Sequence, residues 1–388
     1  MKKNTQVGQS RARKKASQGA RATAPAPLAD LRNAIDAVDR NIHELINQRA
    51  QLARRVGEMK HTQGKGSDAA VEFYRPEREA QVLRMAKERN KGPLRDEEIL
   101  RLFREIMSAC LAQEEPLKVA FLGPEGTFTQ TAVLKHFGHS VLALPLSSID
   151  EVFHEVEAGN ADFGVVPIEN STEGTVNHTL DRFIGSPLKI CGEIELRIHQ
   201  FLMGKMATLA GIKRICTHQQ SLAQCRNWLD EHVPFAERVP VASNAEGARR
   251  ARDEEGTAAI AGETAAEVYG LKVLAPEIED RPDNTTRFFV LGRKLFRPSG
   301  QDRTTLLCST LNTGAPGALY RLLEPMAKHA ISMTRIESRP SKRKKWDYVF
   351  FIDIEGHADE PVVSRALAEL KKRASLFRVL GSYPRAVL

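Results

Sequence analysis

The chain has 388 residues, enough for two to four domains that each build a core. Its 41% apolar and 27% charged residues are the proportions of a globular protein in water, and no apolar run approaches the ~20 residues that cross a bilayer. The net charge of +8 sits almost entirely in residues 1–26, which hold seven Lys and Arg and no acid, so the body carries no nucleic-acid-binding excess. No apolar core of a secretory signal follows those charges, and a cytoplasmic protein is expected. The five cysteines (Cys110, Cys191, Cys216, Cys225, Cys308) form neither a C-x-x-C pair nor a zinc spacing, which predicts reduced thiols and no metal.

Residues 1–26 are polar and rich in Ala, Ser and Gln, and read as a disordered basic tail, solvated rather than bound to RNA. From Leu28 to about Lys60 the pattern is helical. Leu31, Ile35, Val38, Ile42, Leu45, Leu52, Val56 and Met59 form a heptad seam in which Arg49 replaces one member. A helix of ~30 residues is ~45 Å long, so pairing with its copy in a second subunit is predicted. Arg49 in the seam needs either a salt bridge or an anionic ligand, and Lys60 returns to nearly the same face eleven residues on. A polar loop (His61 to Ser67) precedes a second helix starting near Pro76 and stopped by Gly92-Pro93. A third runs from a cap at Asp96 to Gln113, with Ile99, Leu102, Phe103, Ile106 and Cys110 as its inner stripe.

Over residues 27–115 the chain resembles the all-helical chorismate mutase domain of the bifunctional mutase–dehydratase family, on Arg32, Arg49, Lys60 and the Arg78-Glu79 pair. Cys110 stands where a serine is common, Glu114 where some members have glutamine, and Arg75 where those members have aspartate. The resemblance implies that Arg32, Arg49 and Arg78 clamp the carboxylates of chorismate, Lys60 donates to its ether oxygen, and Glu79 binds a hydroxyl. Glu114 would donate a hydrogen bond only when protonated.

A composition shift at Glu114-Glu-Pro116 opens a βα series. Leu117–Leu122 reads as a strand, and Gly123-Pro-Glu-Gly-Thr-Phe-Thr129 as either an anion-binding turn or a capped helix start. Ser148 with Glu151, and Ser243 with Glu246, are capping boxes. The apolar run Phe163–Val166 ends in the polar cluster Glu169, Asn170, Ser171, Thr172 and Glu173, read as a ligand cleft at a strand end or as a turn with capping duty. Residues 188–203 alternate like a strand and lead to a second series, with Thr217-His218 at another strand end. Asn284–Leu291 is a β-branched and aromatic run that returns to the first lobe. Two βα lobes joined by crossing strands predict a periplasmic-binding-like α/β domain with its ligand between the lobes.

Residues 117–296 resemble the prephenate dehydratase module, on Gly123-Pro-Glu-Gly-Thr-Phe-Thr129, Val166-Pro-Ile-Glu-Asn-Ser171 with Glu173-Gly174, Thr217-His218 with Gln224, and Thr286-Arg-Phe288. Gln219 departs from the proline common after the histidine. The resemblance makes Thr286 the catalytic residue, with Glu169, Asn170, Ser171, Thr217, His218 and Gln224 around the substrate. Arg287 and the Gly126–Thr129 amides would anchor its carboxylates. A threonine hydroxyl is too weak an acid to deliver a full proton, so Glu169 or His218 would influence the proton supply, unless His218 merely caps a helix.

After a linker (Arg297 to Asp302), residues 303–382 alternate strand, helix, strand, strand, helix, strand, an α+β ferredoxin-like order. Asn312 with Gly317, Ala318 and Leu319, and Glu337-Ser338-Arg339-Pro340, are similar to the phenylalanine-binding motifs of ACT domains in the same family. Taken together, the resemblance implies an enzyme with chorismate mutase and prephenate dehydratase activities. It needs no cofactor or metal, is inhibited by L-phenylalanine, and is a homodimer through intertwined mutase helices and paired ACT domains, or a larger assembly. A dehydratase with an inactive helical domain, and a non-catalytic aromatic-acid sensor, are the competing expectations.

Overall fold

A computed structural model describes residues 28–64, 74–113, 116–311, 315–341 and 347–387. The basic tail, Glu114, Asn312, the Lys342–Lys345 run and the side chain of Lys60 lie outside the described residues. The chain divides into two compact units between Gln51 and Leu52. That boundary falls inside α1 (Leu28–Gly64), whose helix continues through His61–Gly64, four residues that the sequence assigned to a loop. Every apolar seam residue from Leu31 to Met59 is exposed in the single chain.

In the second unit, α2 (Pro76–Arg89) starts on a proline, whose missing N–H costs nothing in a first turn. Asp96 is not the cap of α3 (Asp96–Leu111). Arg95 holds that position without a side-chain bond, and Asp96, Glu97 and Glu98 instead offset the positive helix end. The buried face of α3 is Leu100, Ser108 and Cys110, while Leu102 and Phe103 of the expected inner stripe are exposed.

The first lobe is laid down by β1 (Lys118–Leu122), α4 (Phe128–Phe137), β2 (Leu142–Leu146), α5 (Ile149–Ala158), β3 (Phe163–Asn170), β4 (Gly174–Thr175), α6 (Asn177–Gly185) and β5 (Lys189–Arg197). The chain then crosses into β6 (Phe201–Gly204), β7 (Arg214–His218), α7 (Gln219–Gln224), α8 (Arg226–His232), β8 (Glu237–Val241), α9 (Asn244–Asp253), β9 (Thr257–Ala261), α10 (Glu263–Tyr269) and β10 (Lys272–Ala275). It returns through β11 (Thr285–Gly292). The first sheet has the order β2-β1-β3-β11-β5 and the second β10-β6-β9-β7-β8, each mixing parallel strands with antiparallel ones near the crossings. Both predicted boxes form their caps: Ser148 accepts the Glu151 N–H and Ser243 that of Glu246. The strand β3 does not stop at Pro167. It runs to Asn170 and turns back through β4, which fixes the face on which each residue of the polar cluster lies.

The C-terminal module is β12 (Asp302–Thr310), α11 (Ala318–Lys328), β13 (Met333–Pro340), β14 (Tyr348–Glu355), α12 (Pro361–Arg373) and β15 (Ala374–Pro384), with sheet order β13-β14-β12-β15. Its sheet backs directly onto the first lobe. Leu307, Val349, Phe351, Leu380 and Tyr383 share one core with Val166, Ile168, Leu188, Ile190 and Phe289. A Cβ at Gly381 would lie 2.1 Å from the Ile190 carbonyl oxygen, so β15 meets β5 backbone to backbone.

Candidate active site

A cavity of about 370 Å³ lies between the two lobes, large enough for a small-molecule substrate. Its first wall includes Gly126–Thr129, Asn170, Thr286 and Phe288, and its second His218, Gln220, Ser221, Gln224, Ser243 and Asn244. Asn170 and Thr286 face each other in the β3–β11 register, and the Asn170 amide donates to Thr286 Oγ1 at 2.8 Å. That bond takes up an acceptor site on the threonine and leaves its own proton free for a ligand. Asn170 Oδ1 accepts the N–H groups of Thr172 and Glu173 and so locks the turn after β3.

Among the described residues lining this cleft, Glu173 and His218 are the ionisable ones, and neither Lys nor Arg is present. Positive potential comes instead from the starts of α4 and α9, whose first N–H groups have no intrahelical acceptor. The Thr127 hydroxyl oxygen caps α4, and the Gly126 N–H is already taken by Gln130 Oε1, so the amides of Thr127, Phe128 and Thr129 remain as the candidate anchoring donors of the predicted Gly126–Thr129 turn. Gln224 lines the cleft and accepts from Gln200 at 3.0 Å. His218 caps α7: its Nδ1 accepts the Gln220 N–H, which is the capping reading, while its ring still borders the cavity.

Several expected ligands are placed elsewhere. Side chains alternate along a strand, so with Thr286 and Phe288 in the cleft, Arg287 points to the opposite face of β11. There it bonds Glu193 (3.0 Å), Asp353 (2.6 Å) and the Tyr383 hydroxyl (3.1 Å), and cannot anchor a carboxylate in the cleft. Glu169 is turned away for the same reason, pairs with Arg335 at 3.3 Å and is not among the residues that line the cleft. Thr217 is fully buried beneath the cleft, with its hydroxyl held by Asn244 and the Ile260 carbonyl. Ser171 accepts the Thr285 N–H and sits outside the cavity. The sequence reading missed Asn244, whose Oδ1 also takes the His218 N–H and the Ser221 hydroxyl, and it missed Gln200. Ser243 marked a helix start, and a helix start at a cleft is an anion site; that was the available signal.

Of the residues matched to the mutase, Arg32 and Arg49 lie on α1 in the first unit, with Arg32 exposed and Arg49 half-buried. Arg78 is exposed on α2. Glu79 faces a cavity of about 40 Å³, bounded by Tyr74, Arg104, Lys135, His136 and the C-terminal Pro384–Val387. Burial pushes its carboxyl up to about 7, although Arg104, 4.0 Å away, and Tyr74 act against the shift. Burial and the cations Arg104 and Lys135 push His136 down to about 3, so a neutral ring meets the Tyr74 hydroxyl at 3.1 Å. A carboxyl whose value is raised on folding binds its proton more tightly in the folded state. Its contribution is present below the unfolded value near 4.5 and lost as pH rises through 7. Wild type is therefore expected to lose about 1–3 kcal/mol relative to Glu79→Gln between pH 4.5 and 8, read from urea midpoints at each pH.

In the C-terminal module, Gly317 adopts φ +72° before α11; no side chain caps the helix, and the Ala318 N–H is taken by the Ala315 carbonyl at 3.1 Å, which leaves the Leu319 amide at the helix start. The Glu337–Pro340 motif splits by strand alternation. Glu337 accepts from Thr175 (3.0 Å) and Arg339 pairs with Asp181 (3.0 Å), both against the first lobe, whereas Ser338 and Pro340 face outward. Glu337 and Arg339 thus bridge the modules in the single chain.

A two-lobed α/β domain with a helix-lined anion cleft, joined to a helical module and a ferredoxin-like one, defines a modular enzyme acting on a small organic acid. The chain matches the family models for chorismate mutase type II over residues 31–115, prephenate dehydratase over 119–295 and the ACT domain over 308–372. It is 55% identical over 362 residues to the bifunctional chorismate mutase/prephenate dehydratase of Pseudomonas aeruginosa (93% of this chain, 98% of that one). It is 51% identical over 360 residues to the protein of that name from Neisseria gonorrhoeae (92% and 97%). Among solved structures it resembles a prephenate dehydratase in complex with L-Phe from Arthrobacter aurescens, with a TM-score of 0.64, 39% identity and coverage of 70% of this chain and 90% of that one. The chain belongs to the family of bifunctional chorismate mutase/prephenate dehydratases. No helix among the described residues is long and apolar enough to cross a membrane.

Proposed function

We infer that the chain converts chorismate to prephenate in its helical module and prephenate to phenylpyruvate in the cleft, under feedback inhibition by L-phenylalanine. The observation that carries the dehydratase reading is the Asn170–Thr286 hydrogen bond, which presents one free hydroxyl proton to a cavity lined by helix amides. Prephenate would bind with its carboxylates at the starts of α4 and α9 and its ring hydroxyl at Thr286. As the ring carboxylate leaves as CO₂, its bonding pair enters the ring and the C–O bond to the hydroxyl breaks. The departing oxygen is stabilised by the Thr286 proton and takes one proton to leave as water. His218 and Glu173 are the ionisable groups at hand to supply it. The test is to feed chorismate and follow both products by chromatography, with and without L-phenylalanine. Prephenate that accumulates without phenylpyruvate, or no conversion at all, would overturn the reading.

The mutase reaction is an internal rearrangement that needs a folded dianion held between cations, and Arg32, Arg49, Lys60, Arg78, Glu79 and Glu114 remain the proposed set. The proposed homodimer buries the exposed seam of α1 against its copy, and paired C-terminal sheets bring Gly317–Leu319 and the outward Ser338 and Pro340 to the phenylalanine site. Ile42→Lys puts a charge in the seam. It is expected to lower mutase activity roughly 100-fold or more, with the dehydratase retained and the two chains still joined through their paired C-terminal sheets. A variant with full mutase activity would refute the seam pairing.

A further inference from the structure

We propose that the C-terminal sheet positions the catalytic pair of the dehydratase directly, through two ion pairs that clamp the residues behind Thr286 and Asn170. This rests on the assignment of Thr286 given above. In the β3–β11 register Thr286 faces Asn170, and the next rung joins Arg287 to Glu169. In the β13–β14 register Arg335 faces Asp353. The two rungs are tied crosswise: Arg287 bonds Asp353 at 2.6 Å, and Arg335 bonds Glu169 at 3.3 Å. Each strand of the catalytic pair is therefore held, one residue from its working side chain, by a charge on the regulatory sheet.

The clamp is buried where it meets β11. The Asp353 side chain is 0% exposed, Glu193 1% and Arg287 11%. Glu193 joins Arg287 to Arg303 of β12, and the Tyr383 hydroxyl links Arg287 to Thr305. Two carboxylates and two guanidiniums balance in charge, so removing one partner leaves an uncompensated buried charge that the strand must move to relieve. The β3–β11 register also shifts between Arg287 and Phe288, and such a bulge re-aims neighbouring side chains when the strand moves. At the other end of the clamp, where Glu169 is exposed and the Arg335 side chain is buried, Arg335 also donates to Thr175, which lines the cleft and bonds Glu337 of the sensor motif. A ligand that draws Glu337 or the β13 strand outward would loosen Arg335 from Glu169 and shift Asn170 against Thr286. Inhibition would then act on turnover through geometry, without blocking the cleft.

The test uses the full-length protein with Asp353→Asn, Arg335→Gln, and the swap Glu169→Arg/Arg335→Glu. Asp353→Asn is expected to lower dehydratase kcat roughly 10- to 100-fold with KM for prephenate within about twofold, because misplacement by an ångström costs rate rather than ground-state binding. Mutase activity should be unchanged. Arg335→Gln removes the Glu169 tie as the ligand would, so it is expected to lower dehydratase kcat several-fold without phenylalanine and to leave little further inhibition, while calorimetric phenylalanine affinity stays within about threefold. The swap should restore inhibition. Wild-type kcat and inhibition in both single variants, or mutase and dehydratase falling together, would overturn the proposal. An inactive wild type, or an active Thr286→Ala, would instead remove the assignment on which it rests.

Discussion

Thr286→Ala is expected to lower the dehydratase kcat roughly 100- to 1,000-fold while prephenate affinity changes by less than about threefold. The hydroxyl is small and the carboxylates are held elsewhere, so the ground state loses little. In the transition state the departing oxygen gains charge and loses the one donor that Asn170 keeps aimed at it. Thr286→Ser retains the donor and should recover much of the rate; Asn170→Ala keeps the hydroxyl but frees its rotamer, and should fall between them. Single-turnover kinetics with equilibrium binding of a non-reacting prephenate analogue separates these effects. Unchanged turnover in Thr286→Ala would sink the assignment.

Gly247→Ala should give the largest loss of stability among single-methyl additions in the second lobe. A Cβ there would lie 2.1 Å from the Cys216 carbonyl oxygen and 3.1 Å from Thr217 Cα, both backbone atoms that cannot swing aside. Helix α9 must lift off β7, at a cost of about 3 kcal/mol, and thermal unfolding should drop by several degrees. The lift also displaces Asn244, three residues upstream, which holds Thr217, His218 and Ser221 together. KM for prephenate should therefore rise together with the stability loss, whereas a remote packing defect would lower Tm alone. Calorimetry and steady-state kinetics on the same preparation decide it.

The order of modules, the two capping boxes and the crossing strands were legible because periodicity and turn residues are local signals. Which side a strand shows to the cleft was not. Glu169 and Asn170 are adjacent in one polar cluster, and only the continuation of β3 to Asn170 puts the amide in the cavity and the carboxylate against Arg335. The Thr286-Arg-Phe288 motif carried the needed clue, since alternation sends Thr286 and Arg287 to opposite faces. It was not applied to Arg287, which was paired with the Gly126–Thr129 amides as an anchor. Of the two helix starts that face the cleft, the one at Gly126–Thr129 was legible as an anion-binding turn and the one at Ser243 only as a cap. The partners of Arg287 were out of reach, because Glu193 and Asp353 stand 94 and 66 residues away.

Because Leu307, Phe351, Leu380 and Tyr383 fill the same core as Ile168, Ile190 and Phe289, the sensor is not an accessory that can be amputated. A gene cut before β12 would strip the back of the first lobe to bare aliphatic surface, and its product should precipitate rather than run unrestrained. Strains selected to overproduce phenylalanine should accordingly carry missense changes in this module and retain its full length.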